Sequence, residues 1–181
     1  MEILIIVILA CLVVFYAIKA ARLKKELSEM SKWESIALCD DLTKIPNRAA
    51  YSMHVKKLRE MKERDVSLIL IDIDDFKEFN DTRGHLEGDA ILQQCAKMLC
   101  DVFSDKSFST YRIGGEFAVI AHNVSEDVII DKMMETRRRE EAGTVSFRVS
   151  KGYAMSDGKA NFTTMFKRAD EMLYADKMFK I

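Results

Sequence analysis

The stretch VSLILIDID, Val66 to Asp74, does most to decide what this chain can fold into. It is a short, continuous apolar run broken only by Ser67 before its acidic end. Runs of this kind are the mark of a strand buried on both faces, because a strand with one wet face alternates apolar and polar residues instead. Such a strand needs a sheet around it, and the neighbouring segments supply the parts.

Upstream, Pro46 and Asn47 open a helix whose expected inward stripe is Tyr51, Val55, Leu58 and Met61. Downstream, a polar loop with Gly84 and Gly88 leads into a helix from about Asp89 to Phe103, with Ile91, Cys95, Met98, Leu99 and Val102 on one face. SFSTYRI and EFAVIAH read as two strands bracketing Gly114 and Gly115, a hairpin. Ser125 suits a helix cap, with Glu126 and Asp127 at its positive end; Gly143 closes that helix, and TVSFRVSKGYAM is the last strand. A final helix is expected from about Phe162 to Lys180, with Met165, Met172 and Met178 as core filler. The order β-α-β-β-α-β, with a helix at each end, predicts an α/β fold of the split, ferredoxin-like kind: an antiparallel sheet with helices packed on one face.

Before all this stands ILIIVILACLVVFYAIKAA, Ile3 to Ala21, whose only charge is Lys19. Its length approaches the ~20 residues of a membrane helix. The acidic Glu2 and the long apolar run argue against a cleaved signal. Lys19, Arg22, Lys24 and Lys25 all lie on its C-terminal side. Residues 1–21 are therefore expected to be a single-pass transmembrane anchor in the cell membrane, with the remainder in the cytoplasm and no sensory segment before the anchor. Residues 22–39 read as a helical linker with a partial heptad stripe of Leu23, Leu27, Met30 and Ala37, equally suited to a coiled coil or to an amphipathic connector.

The 28 basic and 29 acidic side chains nearly cancel, so no overall field favours nucleic acid, which is excluded as a partner. Cys11, Cys39, Cys95 and Cys100 form no C-x-x-C pair and are expected to be free thiols.

The chemistry gathers where Val66–Asp74 ends. Side chains alternate along a strand, so Asp72 and Asp74 share a face, and Asp75 follows at once. Carboxylates this close repel one another, and a hard cation such as Mg²⁺ relieves that repulsion. Lys77 is spaced to meet a phosphate, while Asn80 and Asp89 are equipped to hydrogen-bond a base edge. In the hairpin, glycine supplies the backbone freedom of a tight turn and lets a ligand approach the main chain. Glu116 beside that turn can reach the carboxylate cluster on the next strand, with backbone N–H groups facing a triphosphate.

Three stretches in the right order then carry a family resemblance over roughly Asp40 to Lys180. DDLTKIPNR resembles D-x-L-T-G-L-x-N-R, with Lys44 where glycine is usual; DIDDFKEFNDTRGHLEGD resembles D-x-D-x-F-K-x-x-N-D-x-x-G-H-x-x-G-D without a gap; RADEMLYADK resembles R-A-D-x-A-L-Y-x-A-K. These are motifs of the GGDEF diguanylate cyclases, and the resemblance assigns residues 40–181 to such a domain. It implies a palm-type nucleotide-cyclase fold that condenses two GTP molecules into cyclic di-GMP across a homodimer, each domain holding one GTP. By motif position, Asp72, the Ile73 carbonyl and Glu116 would bind Mg²⁺ (or Mn²⁺), with Asp72 and Glu116 catalytic. Asn80 and Asp89 would read guanine, while Phe76, Lys77, Gly115 and Lys177 would line the phosphates.

The resemblance also carries departures. The family signature G-G-[DE]-E-F is shortened here to Gly114-Gly115-Glu116-Phe117, one acidic position fewer. Aligned on the glycines, Glu116 takes the metal-binding third place; aligned on Phe117, it takes the fourth. Phe117, Val119 and Ala121 share a face, so the sheet is expected to hold Phe117 inward and absorb the change in the turn. The R-x-x-D inhibitory motif is absent at Asp105–Phe108, and KMFKI stands where a G-R-N segment is usual. Weak synthesis is the expected outcome; the alternative is an inactive GTP-binding or dimerising module that regulates a partner at the membrane.

Overall fold

The computed structural model describes residue 12 and residues 15–26, 36–158 and 160–180. The chain divides into two compact units, Met1–Leu38 and Cys39–Ile181. In the first, helix α1 (residues 15–26) exposes Phe15, Tyr16, Ile18 and Leu23. No helix among the described residues is long and apolar enough to cross a membrane. Most of the expected anchor (residues 1–11, 13 and 14) lies outside the described residues, as do Leu27 and Met30 of the linker stripe.

The second unit runs α2 (Arg48–Met61), β1 (Val66–Ile73), α3 (Phe76–Arg83), α4 (His85–Val102), β2 (Phe108–Arg112), β3 (Phe117–His122), α5 (Glu126–Glu141), β4 (Val149–Met155) and α6 (Phe162–Met178). The strands form one sheet in the order β2-β3-β1-β4, antiparallel throughout. β1 is central. Leu68, Ile69, Leu70 and Ile71 are each at most 1% exposed, and burying each such side chain is worth about 2 kcal/mol.

Two apolar layers follow from the strand alternation. Ile69, Ile71, Ile73, Phe117 and Val119 face Ile91, Cys95 and Leu99 of α4 and Ile129 of α5. Leu68, Leu70, Ala118 and Ile120 face Val55 and Leu58 of α2 and Phe162, Met165, Ala169 and Leu173 of α6. Helices therefore cover both faces, not one; a β1 with no wet side requires exactly two covers.

Other expectations need correction. The polar loop after Asp75 is largely helix: α3 occupies Phe76–Arg83, and α4 begins at His85, ahead of Asp89. No residue of α3 is buried, so it carries no apolar stripe to betray it. The last strand starts at Val149, after the irregular Thr144–Arg148. Met61, Met172 and Met178 are exposed, and only Met165 of the expected methionine filler is core. His85 stands exposed as the first residue of α4.

Local chemistry sets the ends. Asn47 caps α2 with its side-chain oxygen, accepting from the Ala49 and Ala50 N–H groups at 2.9 and 3.1 Å. Lys62 closes the same helix in the left-handed region, φ 54°. The outer edge of β4 is blunted by α6: the Lys151 N–H donates to Asp176 Oδ2 at 2.9 Å, and the Tyr153 N–H to Met172 Sδ at 3.4 Å. Cys39, Cys95 and Cys100 are free. Burial drives the Cys95 thiol far above its ordinary pKa, which keeps it inert.

Candidate active site

The site forms where β1 leaves the sheet, beside the β2–β3 tip and the end of α6. β1 pairs with β3 up to Ile71 opposite Phe117, so the next positions outward are Asp72 and Glu116. Their side chains share the face on which α2 and α6 pack, since Ile71 and Phe117 point to the other. On its other flank Asp72 pairs with Ser150 of β4.

The tip has two residues. The ladder runs to Arg112 opposite Phe117, and the Ile113 N–H donates to the Glu116 carbonyl at 2.8 Å, leaving Gly114 and Gly115 to turn the chain. Gly114 takes φ 99°, a region closed to most side chains. Phe117 is fully buried on the α4 side, as strand parity required. Arg112 braces the tip: its Nε donates to the Gly114 carbonyl at 3.0 Å and its Nη1 to Asp40 at 2.9 Å. The same Asp40 oxygen accepts from the Thr43 N–H and hydroxyl at 2.8 and 2.6 Å, tying the start of the domain to the glycine turn.

Of the residues singled out from sequence, Asp72, Ile73, Phe76, Lys77, Gly115, Glu116 and Lys177 line one open cavity of about 700 Å³, while Asp74, Asn80 and Asp89 do not. Asn80 sits one turn along α3 from Phe76 and Lys77, and its Oδ1 is buried without a hydrogen-bond partner among the described residues. That oxygen presses on Gly88, where an added Cβ would lie 1.8 Å away, so α3 and α4 approach this closely only over glycine. Asp89 is the next residue of α4 and half-buried. Neither residue lines the cavity; Asn80 meets α4 at Gly88, the residue before Asp89.

Charge is arranged tightly. Lys177 Nζ donates to Asp72 Oδ2. Burial opposes the Lys177 ammonium, but the hydrogen bond and charge of Asp72, backed by Asp74 and Glu116, hold its pKa above the ordinary value. Glu116 is pushed the other way: burial, then the like charges of Asp72 and Asp170, raise its pKa against the pull of Lys177 and Arg48. Arg48, the first residue of α2, also lines the cavity. It and Asp170 were not singled out from sequence, though each stands inside a recognisable stretch, PNR and RAD.

A divalent ion fits this donor set. Among the described residues no three His, Cys, Asp or Glu side chains converge, so the offer is two carboxylates and a backbone carbonyl. Glu116 and Asp72 occupy adjacent outward positions on paired strands and line the same cavity, and a hard cation would relieve the repulsion of two carboxylates so placed.

Three comparisons bear on this geometry. The family described as "Diguanylate cyclase, GGDEF domain" matches residues 37–180. An uncharacterized membrane protein of Staphylococcus aureus strain USA300 is 31% identical, over 83% of this chain and 46% of the relative; the chain thus spans about half the length of the curated relatives it matches. The coiled coil and GGDEF domain of Caulobacter crescentus DgcB, solved with c-di-GMP, is similar with a TM-score of 0.77 at 26% identity, covering 90% of this chain and 92% of that one. The GGDEF domain of TpbB (YfiN) from Pseudomonas aeruginosa gives a TM-score of 0.61 at 27% identity, covering 77% of this chain and 88% of that one.

Proposed function

The chain belongs to the GGDEF family, and from that premise we propose that it is a membrane-anchored diguanylate cyclase of reduced activity, joining two GTP molecules into cyclic di-GMP. The observation that carries this reading is the pairing of Asp72 with Glu116 across β1 and β3, in one cavity with Phe76, Lys77, the glycine turn and Lys177.

In this reading Asp72, Glu116 and the Ile73 carbonyl hold Mg²⁺ or Mn²⁺. The bound ion supplies Lewis-acid stabilisation of charge on the transferring phosphate. The chain does the rest. Lys177 and Lys77 offset phosphate charge, and the Gly114–Gly115 turn, with no atom within 4 Å of where a Cβ would stand at either glycine, leaves room for phosphate oxygens to approach the main chain. The free acceptor of Asn80 and the Asp89 carboxylate suit the N–H donors on the guanine edge. The 3′-hydroxyl of one GTP attacks the α-phosphorus of the other and pyrophosphate leaves; repeating the step closes the ring. Each domain holds one GTP, so a homodimer is the working unit. Turnover is reduced because a two-residue tip presents Glu116 alone, and a 1 Å misplacement of such a group costs ~100-fold.

Membrane anchoring rests on the apolar run Ile3–Ala21, on the exposed apolar side chains of α1 and on the description of the S. aureus relative as a membrane protein. The basic flank Lys19–Lys25 supports a cytoplasmic side for the GGDEF domain.

The deciding experiment incubates the purified chain with GTP and Mg²⁺, or Mn²⁺, at concentrations that ensure dimers, and separates the products. Slow appearance of cyclic di-GMP is expected. GTP binding with no product under either metal would leave a regulatory nucleotide-binding module instead.

A further inference from the structure

Between α5 and α6, along the outer edge of β4, lies a cavity of about 530 Å³, within the size range of small-ligand sites. Its walls are apolar: α5 gives Ile130, Met133 and Met134, and α6 gives Met172 and Phe179. Four of these are exposed, Ile130 at 39%, Met172 at 41%, Met134 at 54% and Phe179 at 89%. Large apolar side chains gathered around one cavity mark a place of binding, and three methionines let its walls adapt to a flexible chain.

Two features narrow the occupant. The backbone N–H groups of Lys151 and Tyr153, which line the cavity, already donate to Asp176 and Met172, so an added strand finds no donors there. A groove for the apolar face of a helix needs an apolar floor, whereas this one carries the Lys151 side chain, only 7% exposed. That ammonium has donors to spare: of its three N–H groups, one is taken by Glu140 Oε1 at 3.2 Å, its one acceptor among the described residues.

The charge of the lining points the same way. Lys151 and Arg137 stand against one acid, Asp176, whose Oδ2 already meets the Lys151 N–H at 2.9 Å and Lys180 Nζ at 3.4 Å. Glu140 and Glu141 pair with the two cations, each at 3.2 Å, but neither lines the cavity. Spare donors, a positive lining and apolar walls together suit a ligand with one anionic oxygen head and a long apolar body. We propose that this cavity binds an amphiphilic monocarboxylate of the fatty-acid kind, its carboxylate accepting from Lys151 and its alkyl chain lying along the methionines.

The test needs neither GTP nor metal, so it stands apart from the cyclase reading. The full-length chain in phospholipid nanodiscs is irradiated with dodecanoic acid bearing a photoreactive diazirine near its methyl end, and cross-linked peptides are located by mass spectrometry. Label is expected on the peptides holding Ile130–Met134 or Met172–Phe179, competed by plain dodecanoate and not by dodecyltrimethylammonium. Ala175→Trp, which fills the cavity from an exposed position, should cut that label at least about tenfold. Lys151→Met combined with Glu140→Gln removes both buried charges together, and in it the cation should compete as well as the carboxylate. Label confined to the apolar run Ile3–Ala21, label unchanged in Ala175→Trp, or equal competition by the cation in the wild type would overturn the proposal. So would an unlabelled wild type whose dimers come apart in Ala175→Trp, which would give the cavity to a second copy of this chain. Should the double variant fail to fold, Ala175→Trp and the competition in the wild type still decide.

Discussion

Lys44 holds φ 61°, within a turn whose ends are tied by the Asp40 N–H to the Ile45 carbonyl and the Lys44 N–H to the Asp40 carbonyl, both 2.8 Å. A side chain in that region costs roughly 1 kcal/mol, more than glycine loses through its freer unfolded chain. Lys44→Gly should therefore raise the unfolding free energy by about 0.5 kcal/mol, read as a higher denaturant midpoint at unchanged slope. Glu116 carries the pH dependence of the site. Its folded pKa is raised, so the stability linked to its protonation is complete below the ordinary glutamate value and is lost as pH rises through the folded value. Metal-free protein should thus weaken across that interval, Glu116→Gln should flatten the decline, and Mn²⁺ should offset it in the wild type only; denaturation curves from about pH 4 to pH 8 read all three. Single residues such as Asp72, Lys77 and Glu116 were legible in the sequence because acids and a lysine crowd a strand end and a glycine turn. The contacts of Lys180 were not, because they depend on the end of α6 meeting Val149 and Ser150, a contact between distant segments that no local pattern encodes.

At the level of elements, the hairpin is the part most open to change. Its ladder stays in register through Ile113 and Glu116, and the buried Phe117 pins that register, so an extra residue must be taken up at the tip. Inserting an aspartate between Gly115 and Glu116 should raise turnover at least tenfold while shifting the unfolding free energy by less than about 1 kcal/mol, measured as product formed and as the denaturant midpoint. No gain in turnover would mean that the two-residue tip is not what limits the enzyme. The same distinction explains which elements the sequence disclosed. β1, α4 and the hairpin announce themselves through apolar patterns that match their burial. α3, with the sequence FKEFNDTR and nothing buried, has no such pattern and is set by Asp75 in the left-handed region, φ 55°, and by Gly84 after it. Helices on both sheet faces were implicit in the unbroken apolarity of β1, even though the element order alone suggested one.

For the whole molecule, the reading of two facing domains sets a mass-action signature. Below the dimerisation constant, diluting the chain tenfold should lower the rate per chain about tenfold, and above it the rate per chain should level off. A rate per chain independent of concentration throughout would point to a unit that works alone. The sheet itself limits how copies can meet. Because Asp176 and Met172 already occupy the outward N–H groups of Lys151 and Tyr153, the middle of that margin offers no free template for a neighbour's backbone. Two copies cannot zip there into one continuous eight-stranded ribbon, so a pair formed on that side must be held by side chains and loops. An association of that kind can open and close without unravelling either fold.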